Sequence, residues 1–467
     1  MRYVSTRGTA PVLDFSDALL AGLASDGGLY VPETWPSLTP AEIAALDGLP
    51  FADAVTRVMA PLAAPSIDEG ALRDMARAAY ARFSHPATAP LVQLDRHTWL
   101  LELFHGPTLA FKDFALQLLG HLFEHVLTRR RQRATIVGAT SGDTGSAAIE
   151  AMAGRDGIDI FILHPRGRVS EVQRRQMTTV EAANVHNIAV DGTFDDCQDI
   201  VKALFADRAL RDEVRLAAIN SINWARIAAQ AAYYAVAAAA LGAPARAVSF
   251  IVPTGNFGNV YAGWAARRMG VPIERFVAAS NRNDILFRFF ARGDMSLAPV
   301  VPSLSPSMDI QVSSNFERLL FELAGRDGGA VAAAMAAFRR DGKLPVSADQ
   351  LAEARTLFAG HRSDDEDTLA TMARMHATTG MLVDPHTATA ISAAAAMDGA
   401  AGPRIVLATA HPAKFPDAVE KATGVRPALP PHLADLFARR ERCATLPNDV
   451  AAVAAHIRAR AGRAAAA

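Results

Sequence analysis

At 467 residues, with 51% hydrophobic and 20% charged side chains, the chain has the make-up of a globular protein of two or three domains rather than a disordered one. A formal net charge of −1 gives no electrostatic ground for a nucleic-acid partner. Cys197 and Cys443 lie far apart, so neither a disulfide framework nor a cysteine zinc site is expected. The N-terminus has no apolar signal core, and no run reaches the ~18–20 apolar residues of a membrane span, which points to the cytoplasm.

Residues 1–95 read as a separate N-terminal domain. Phe15, Leu19, Leu20 and Leu23 recur at helical spacing until Asp26-Gly27-Gly28 stops the helix. LYVPETWP (29–36) reads as a short strand leaving into a proline-rich turn. Helices are expected near 51–62 and 68–83, ending at SHPATAP (84–90). Short strands around 91–94 and 98–103 lead into HGPTLAFKDFALQ (105–117). There the Gly106-Pro107 break, with Thr108 as N-cap, starts a helix whose apolar face is Phe111, Ala115, Leu118, Leu119, Leu122 and Val126.

From 134 the pattern becomes strand, glycine turn, helix. Strands are expected at 134–140, 158–165, 184–190, 215–220, 248–254, 275–281 and 404–412. Helices fall between them, including 169–182, 194–206 and an alanine-rich helix over 225–241. This alternation implies right-handed crossovers and a mostly parallel α/β sheet covered on both faces. Residues 295–400 read as mainly helical, with a loop at 296–313 and a solvated acidic turn at SDDED (363–367). The division is a 1–95 domain, a 96–425 core with a smaller subdomain at roughly 130–230, and a 426–467 helical tail that frays through AGRAAAA.

Only five of the 47 Lys and Arg residues are lysines: Lys112, Lys202, Lys343, Lys414 and Lys421. A lysine kept at an apolar helix start is a candidate for chemistry arginine cannot do, because a desolvated amine can lose its proton. The plain alternative is a solvated helix residue that did not drift to arginine. Two glycine turns between strand and helix, GATSGDTG (138–145) and PTGNFGN (253–259), present free N–H groups where an anion could sit. Either turn alone is equally consistent with a tight strand–helix connection. Together they suit a phosphorylated cofactor plus an anionic substrate. His121 and His125 have an i,i+4 metal-ligand spacing, but Glu124 adjoins the second histidine, so no metal is expected. RRRQR (129–133) is a basic helix end at the negative pole of the dipole.

HGPTLAFKDFALQ (105–117), ATSGDTGSAA (139–148), NSINWARIAAQ (220–230), PTGNFGN (253–259), SNRNDIL (280–286) and ATAHPAKF (408–415) resemble the motifs of the threonine synthases, as does STRG…GLASDGGLYVPE within 5–33. The resemblance runs in order from residue 3 to about 425. It implies a fold-type II pyridoxal phosphate enzyme, related to the tryptophan synthase β chain, with two mostly parallel αβα subdomains and an additional N-terminal domain. Threonine dehydratases and cysteine synthases usually carry Asn at the place of Asp143 and a glycine-only phosphate loop, and this chain has neither.

By the same resemblance Lys112 is the Schiff-base lysine, and Gly255, Asn256, Phe257 and Asn259 form the cofactor-phosphate loop. Thr409 faces the pyridine nitrogen. Thr140, Ser141, Asp143 and Thr144 hold the substrate carboxylate, and Ser221 and Arg226 clamp the substrate phosphate. Asn281, Arg282, Asn283, His411 and Lys414 lie in family motifs without an assigned role. The implied reaction is O-phospho-L-homoserine plus water giving L-threonine and phosphate, by a monomer or homodimer. A different pyridoxal-phosphate lyase or dehydratase, acting on a hydroxy- or phosphorylated amino acid, is the alternative, since fold alone does not separate them.

Overall fold

In the computed structural model, which describes residues 1–397 and 402–462, two parallel sheets stand behind the glycine turns. Residues 398–401 and 463–467, which end the 295–400 region and the AGRAAAA stretch, lie outside the described residues. The larger sheet has the order Phe358–Arg362, Ile273–Ser280, Val248–Pro253, Arg404–Ala408, Thr98–Glu102, Leu91–Gln93. Its strands run parallel except for the last pair, an antiparallel hairpin at the edge. Val248–Pro253 is buried along its whole length, as a continuous apolar run covered on both faces must be.

The smaller sheet is parallel throughout, in the order Ala444–Pro447, Val185–Asp191, Ile158–Pro165, Ala134–Ala139, Leu216–Ala217. Ile158–Pro165 and Phe194–Ala206 fall where the sequence places them. Three expectations are corrected. The strand at 215–220 shrinks to Leu216–Ala217, which pairs only with Thr135 and Ile136, and residues 218–220 leave the sheet. Phe358–Arg362 is a strand inside the stretch read as helical; it lies at a sheet edge and buries only Phe358, so it carries no apolar alternation. The tail after 426 holds, besides the expected helix at Val450–Arg458 with Val453 and Ile457 buried, a strand, Ala444–Pro447, that pairs with Val185–Asp191.

Tyr3–Ser5 and Tyr30–Pro32 form a two-stranded antiparallel ribbon, and the helices Phe51–Ala63 and Glu69–Tyr80 follow it. Phe51, Tyr80 and Phe83 pack edge-on or tilted against Phe114, so the N-terminal residues share a core with the helix that begins at Lys112. The Lys112–Arg130 helix is buried on nearly every side over its first four turns instead of presenting one apolar face. The alanine-rich helix Trp224–Ala240 lies against it and against Phe51–Ala63, small side chains letting the backbones approach.

Candidate active site

The start of the Lys112 helix differs from the expected N-cap. Phe111 holds the cap position, and Thr108 instead bonds forward to Asp113: its N–H donates to Oδ2 at 2.9 Å and its hydroxyl to Oδ1 at 2.7 Å. The preceding Gly106 makes room for this loop, since a Cβ there would lie 2.5 Å from Asp113. Lys112 is thereby fixed at the first turn, beside the end of the strand Arg404–Ala408, where Phe111 N–H donates to Thr409 O at 2.9 Å.

Lys112 Nζ donates to Asp143 Oδ2 at 2.9 Å, and Lys414 Nζ lies 3.1 Å from Asp143 Oδ1. Gln173 Nε2 reaches Oδ1 at 2.8 Å and the Ser307 hydroxyl reaches Oδ2 at 2.9 Å. Burial alone would raise the Asp143 carboxyl, but Lys112 and Lys414 together hold it well below the usual carboxylate range. Lys112 moves the other way from a free lysine. Burial pulls its ammonium down, Lys414 and Arg226 add to that, and Asp143 opposes them without cancelling the effect. An amine so placed gives up its proton more readily than a surface lysine.

This corrects the reading of Asp143 as a holder of the substrate carboxylate. A carboxylate with two ammonium partners has no donor to offer a second one, and like charges repel. Thr140 Oγ1 accepts from Gly142 N–H at 2.9 Å and Gly145 N–H at 2.8 Å, closing the turn and leaving its own proton to donate, while Ser141 and Thr144 sit half-buried beside it. Gly142 adopts φ 136° against the Gln173 side chain, where a Cβ would meet Gln173 atoms at 2.3 Å.

At the second turn, Asn256 Nδ2 donates to the Ser221 hydroxyl at 2.7 Å and Asn256 Oδ1 accepts from Gly258 N–H at 3.1 Å. The turn joins the buried strand Val248–Pro253 to the helix Gly258–Arg268, whose N-terminus faces the turn. Asn259 Oδ1 accepts from Tyr233 at 2.5 Å and Tyr234 at 2.8 Å, while its Nδ2 is buried without a partner. Phe257 belongs to the turn through its backbone: its side chain packs into Phe290, Phe316 and Phe358, and its amide donates to Thr254 Oγ1 at 3.1 Å. It shapes the turn through its left-handed φ of 65° and offers no side-chain contact.

Arg226, in the first turn of the alanine-rich helix, is 2% exposed and donates to Ile219 O at 3.2 Å. Among the described residues it has no carboxylate partner, its Nε is unpartnered, and burial lowers its pKa to about 10. A buried guanidinium left in this state is costly unless an anion joins it.

Lys112, Asp143, Gly255, Asn256, Asn259, Ser307, His386 and Thr409 line one cleft. A bound pyridoxal phosphate fits this lining: a helix N-terminus and glycine turn for the phosphate, a buried unpartnered Asn259 amide, and a lysine amine opposite. Gly255 belongs to the fit, because a Cβ there would come within 3.1 Å of the Met308 backbone.

Sequence reasoning missed Gln173, Ser307 and His386. His386 Nδ1 lies 2.7 Å from Asp384 Oδ2 and its Nε2 accepts from Ser307 N–H at 3.2 Å, so the ring carries its proton on Nδ1. The signal was present in DPHTA (384–388), an Asp-Pro helix start, and in the serine-rich loop at 296–313. Asn281 and Asn283 now have a structural place: both donate to Asp309 Oδ1, at 2.8 and 2.9 Å, and Asn281 also to Ser303 and Ser305, pinning that loop over the cleft. Arg282 is partly exposed and faces Asp365 at 3.7 Å. His411 caps the short turn Pro412–Lys414, accepting from Ala413 N–H, and burial lowers its pKa to about 4. His121 is spent on Arg155, and no metal-binding cluster occurs among the described residues.

Comparison with known proteins agrees with this geometry. Three family models match in succession: Threonine synthase N terminus over residues 2–80, Pyridoxal-phosphate dependent enzyme over 83–341, and Threonine synthase, C-terminal over 387–457. A threonine synthase of Pseudomonas aeruginosa is 57% identical over 98% of both chains. The crystal structure of a PLP-bound threonine synthase from Brucella melitensis superposes with a TM-score of 0.97 at 51% identity, covering 99% of this chain and all of that one. That of Escherichia coli threonine synthase gives 0.83 at 32% identity, covering 98% and 100%. The chain belongs to the threonine synthases, pyridoxal-phosphate-dependent lyases of the fold-type II α/β class with an added N-terminal domain.

Proposed function

We propose that this enzyme converts O-phospho-L-homoserine and water to L-threonine and phosphate, with Lys112 as the catalytic amine. The observation that carries the choice of substrate is Arg226, a buried guanidinium with no carboxylate partner among the described residues, whose charge acts on Lys112. A planar guanidinium suits a phosphate oxygen set. An unphosphorylated hydroxy-amino acid would leave that charge uncompensated.

Gly255, Asn256 and Asn259, with the N-terminus of Gly258–Arg268, would hold the cofactor phosphate, and Thr409 would face the pyridine nitrogen. Phe257 contributes only the shape of the turn. When bound, pyridoxal phosphate supplies the electron sink that stabilises negative charge next to the amine-bearing carbon. Thr140, Ser141 and Thr144 donate to the substrate carboxylate. Arg226 and Ser221 hold the phosphate and draw off its charge as the Cγ–O bond breaks. The Lys112 amine removes the proton at Cα, serves again at Cβ, and returns a proton to Cα after water has added at Cβ.

A dehydratase-like lyase on the same fold is the second reading, and a substrate panel separates the two. Phosphohomoserine, threonine and serine are compared for phosphate, threonine and keto-acid release. Phosphate-coupled threonine formation supports the reading; keto acid from threonine or serine at comparable kcat/KM would replace it. The division at about residues 95 and 425 is part of this reading, as are a cytoplasmic location and a monomeric or homodimeric state. Limited proteolysis, fractionation and sedimentation test these. The absence, among the described residues, of a helix long and apolar enough to cross a membrane accords with the location.

A further inference from the structure

We propose that Lys414 is a positioning residue for the Lys112 amine, acting as the permanent counter-ion of Asp143. The proposal rests on Lys112 being the amine that gains and loses protons. Lys414 is fully buried, and its ammonium is shared between Asp143 Oδ1 at 3.1 Å and Thr108 O at 2.7 Å. The short turn Pro412–Lys414 delivers it, and that turn is capped by His411. In a chain that uses arginine almost everywhere, a second buried lysine at the same carboxylate needs a reason.

The two oxygens of Asp143 are served separately. Oδ2 receives Lys112 and Ser307; Oδ1 receives Lys414 and Gln173. When Lys112 passes its proton on, the Oδ2 side loses its cation. A buried carboxylate with no remaining cation would take up a proton itself, because burial favours its neutral form. The proton meant for the substrate carbon would then rest on Asp143. Lys414 prevents this by keeping a positive charge on Oδ1 throughout. It does a second thing through the same geometry: its repulsion of the Lys112 ammonium favours the free amine.

The remaining charged or titratable groups around this pair are few. Arg226 bears on Lys112, His386 on Asp143, and Asp113 on Lys414. Arg226 stays cationic whatever Lys112 does. His386 is tied to Asp384 through Nδ1 and to Ser307 N–H through Nε2. Asp113 is occupied by Thr108. Lys414 is therefore the group whose charge sets how Asp143 and Lys112 divide a proton.

The test is trace acetylation of the full-length, cofactor-free chain with acetic anhydride across pH, read at Lys112 by peptide mass. Lys414→Met should raise the pH of half-maximal labelling by about one unit, the size of effect expected from one close charge. Lys414→Arg, which keeps the charge, should leave it at the wild-type value. In the holoenzyme, Lys414→Met should lower kcat with little change in KM, and Lys414→Arg should restore much of the loss. An unchanged midpoint in Lys414→Met, or an equal shift in Lys414→Arg, would overturn the proposal. If Lys414→Met fails to fold by circular dichroism, Lys414→Gln, which also removes the charge, takes its place: a raised midpoint supports the proposal and a wild-type midpoint overturns it. The labelling needs neither cofactor nor substrate, so a wrong substrate assignment shows separately, as a wild-type enzyme inactive on phosphohomoserine.

Discussion

Asn256 and Ser221 come from different strand ends and meet through one hydrogen bond of 2.7 Å, joining the PTGNFGN turn to the loop that leads into the Arg226 helix. The turn is braced from behind as well: Asn256 O accepts from Asn315 N–H at 3.0 Å, and Asn315 is bonded by the buried Arg318. Arg318 in turn donates to Tyr30 O at 3.1 Å. The N-terminal DGGLYVPE motif is thereby tied through Arg318 and Asn315 to the PTGNFGN turn.

Arg226→Lys keeps a positive charge but loses the fork geometry. It should raise KM for phosphohomoserine by roughly 10- to 100-fold, the loss of one charge-assisted hydrogen bond of about 1.5–3 kcal/mol. Cofactor absorbance should be retained. Steady-state kinetics with a phosphate-release assay checks this, and an unchanged KM would remove Arg226 from the phosphate clamp.

Arg7 and Glu317 form a bidentate pair at 3.0 and 2.8 Å, with Thr6 adding a third bond to the same carboxylate. Glu317 is 4% exposed. Arg7→Met should lower stability by about 3–5 kcal/mol because it strands a buried charge, and the double change Arg7→Met, Glu317→Gln should lose less than the single one. Urea unfolding followed by circular dichroism measures both.

Which of these relationships could be read from the chain depended on their range in sequence. Strands such as 158–165 and the two glycine turns are legible because apolar runs and turn residues are local signals. Lys112, Thr140, Asn256 and Arg226 are legible as candidates because they stand in compact motifs. Ser307 and His386 were not, since they reach Asp143 and each other across 164 and 79 positions, and only the packed fold brings them close. The same holds for the Ala444–Pro447 strand, four residues that alternate half-buried and exposed, too short a run to stand out until Val185–Asp191 pairs with it. Asp143 was recognised from its motif, but its charge partners were not, so it was read as a substrate ligand instead of a counter-ion.

Asp113 is buried, and that burial raises its pKa from 3.8 to about 6 despite the bonds from Thr108. A carboxyl raised on folding contributes stability that is full below its unfolded pKa and is lost as pH climbs through the folded value. Wild-type stability should therefore fall by about 3 kcal/mol from this group between roughly pH 4 and 6. Asp113→Asn should remove that part of the slope. The comparison is the difference in unfolding free energy between the two proteins across that range; a constant difference would show that Asp113 is ionised throughout.

Asn281→Ala releases the loop at 301–309 by removing the bonds to Ser303, Ser305 and Asp309. Ser307 should then lose its fixed position on Asp143, and kcat/KM should drop about 10-fold or more, the order expected when a positioning contact is lost. Global stability should fall less than for Arg7→Met, since the loop lies at the mouth of the cleft. Hydrogen exchange of 301–309 in the two proteins, set beside kinetics, tests the link between loop order and rate.

The central claim is that Lys112 carries protons during conversion of phosphohomoserine to threonine. The direct measurement is product formation from phosphohomoserine by wild type and Lys112→Ala, following threonine and phosphate together with cofactor absorbance. Wild type should release threonine and phosphate in equal amounts, and Lys112→Ala should lose both the product and the lysine-bound cofactor absorbance. Equal threonine formation by Lys112→Ala would contradict the account.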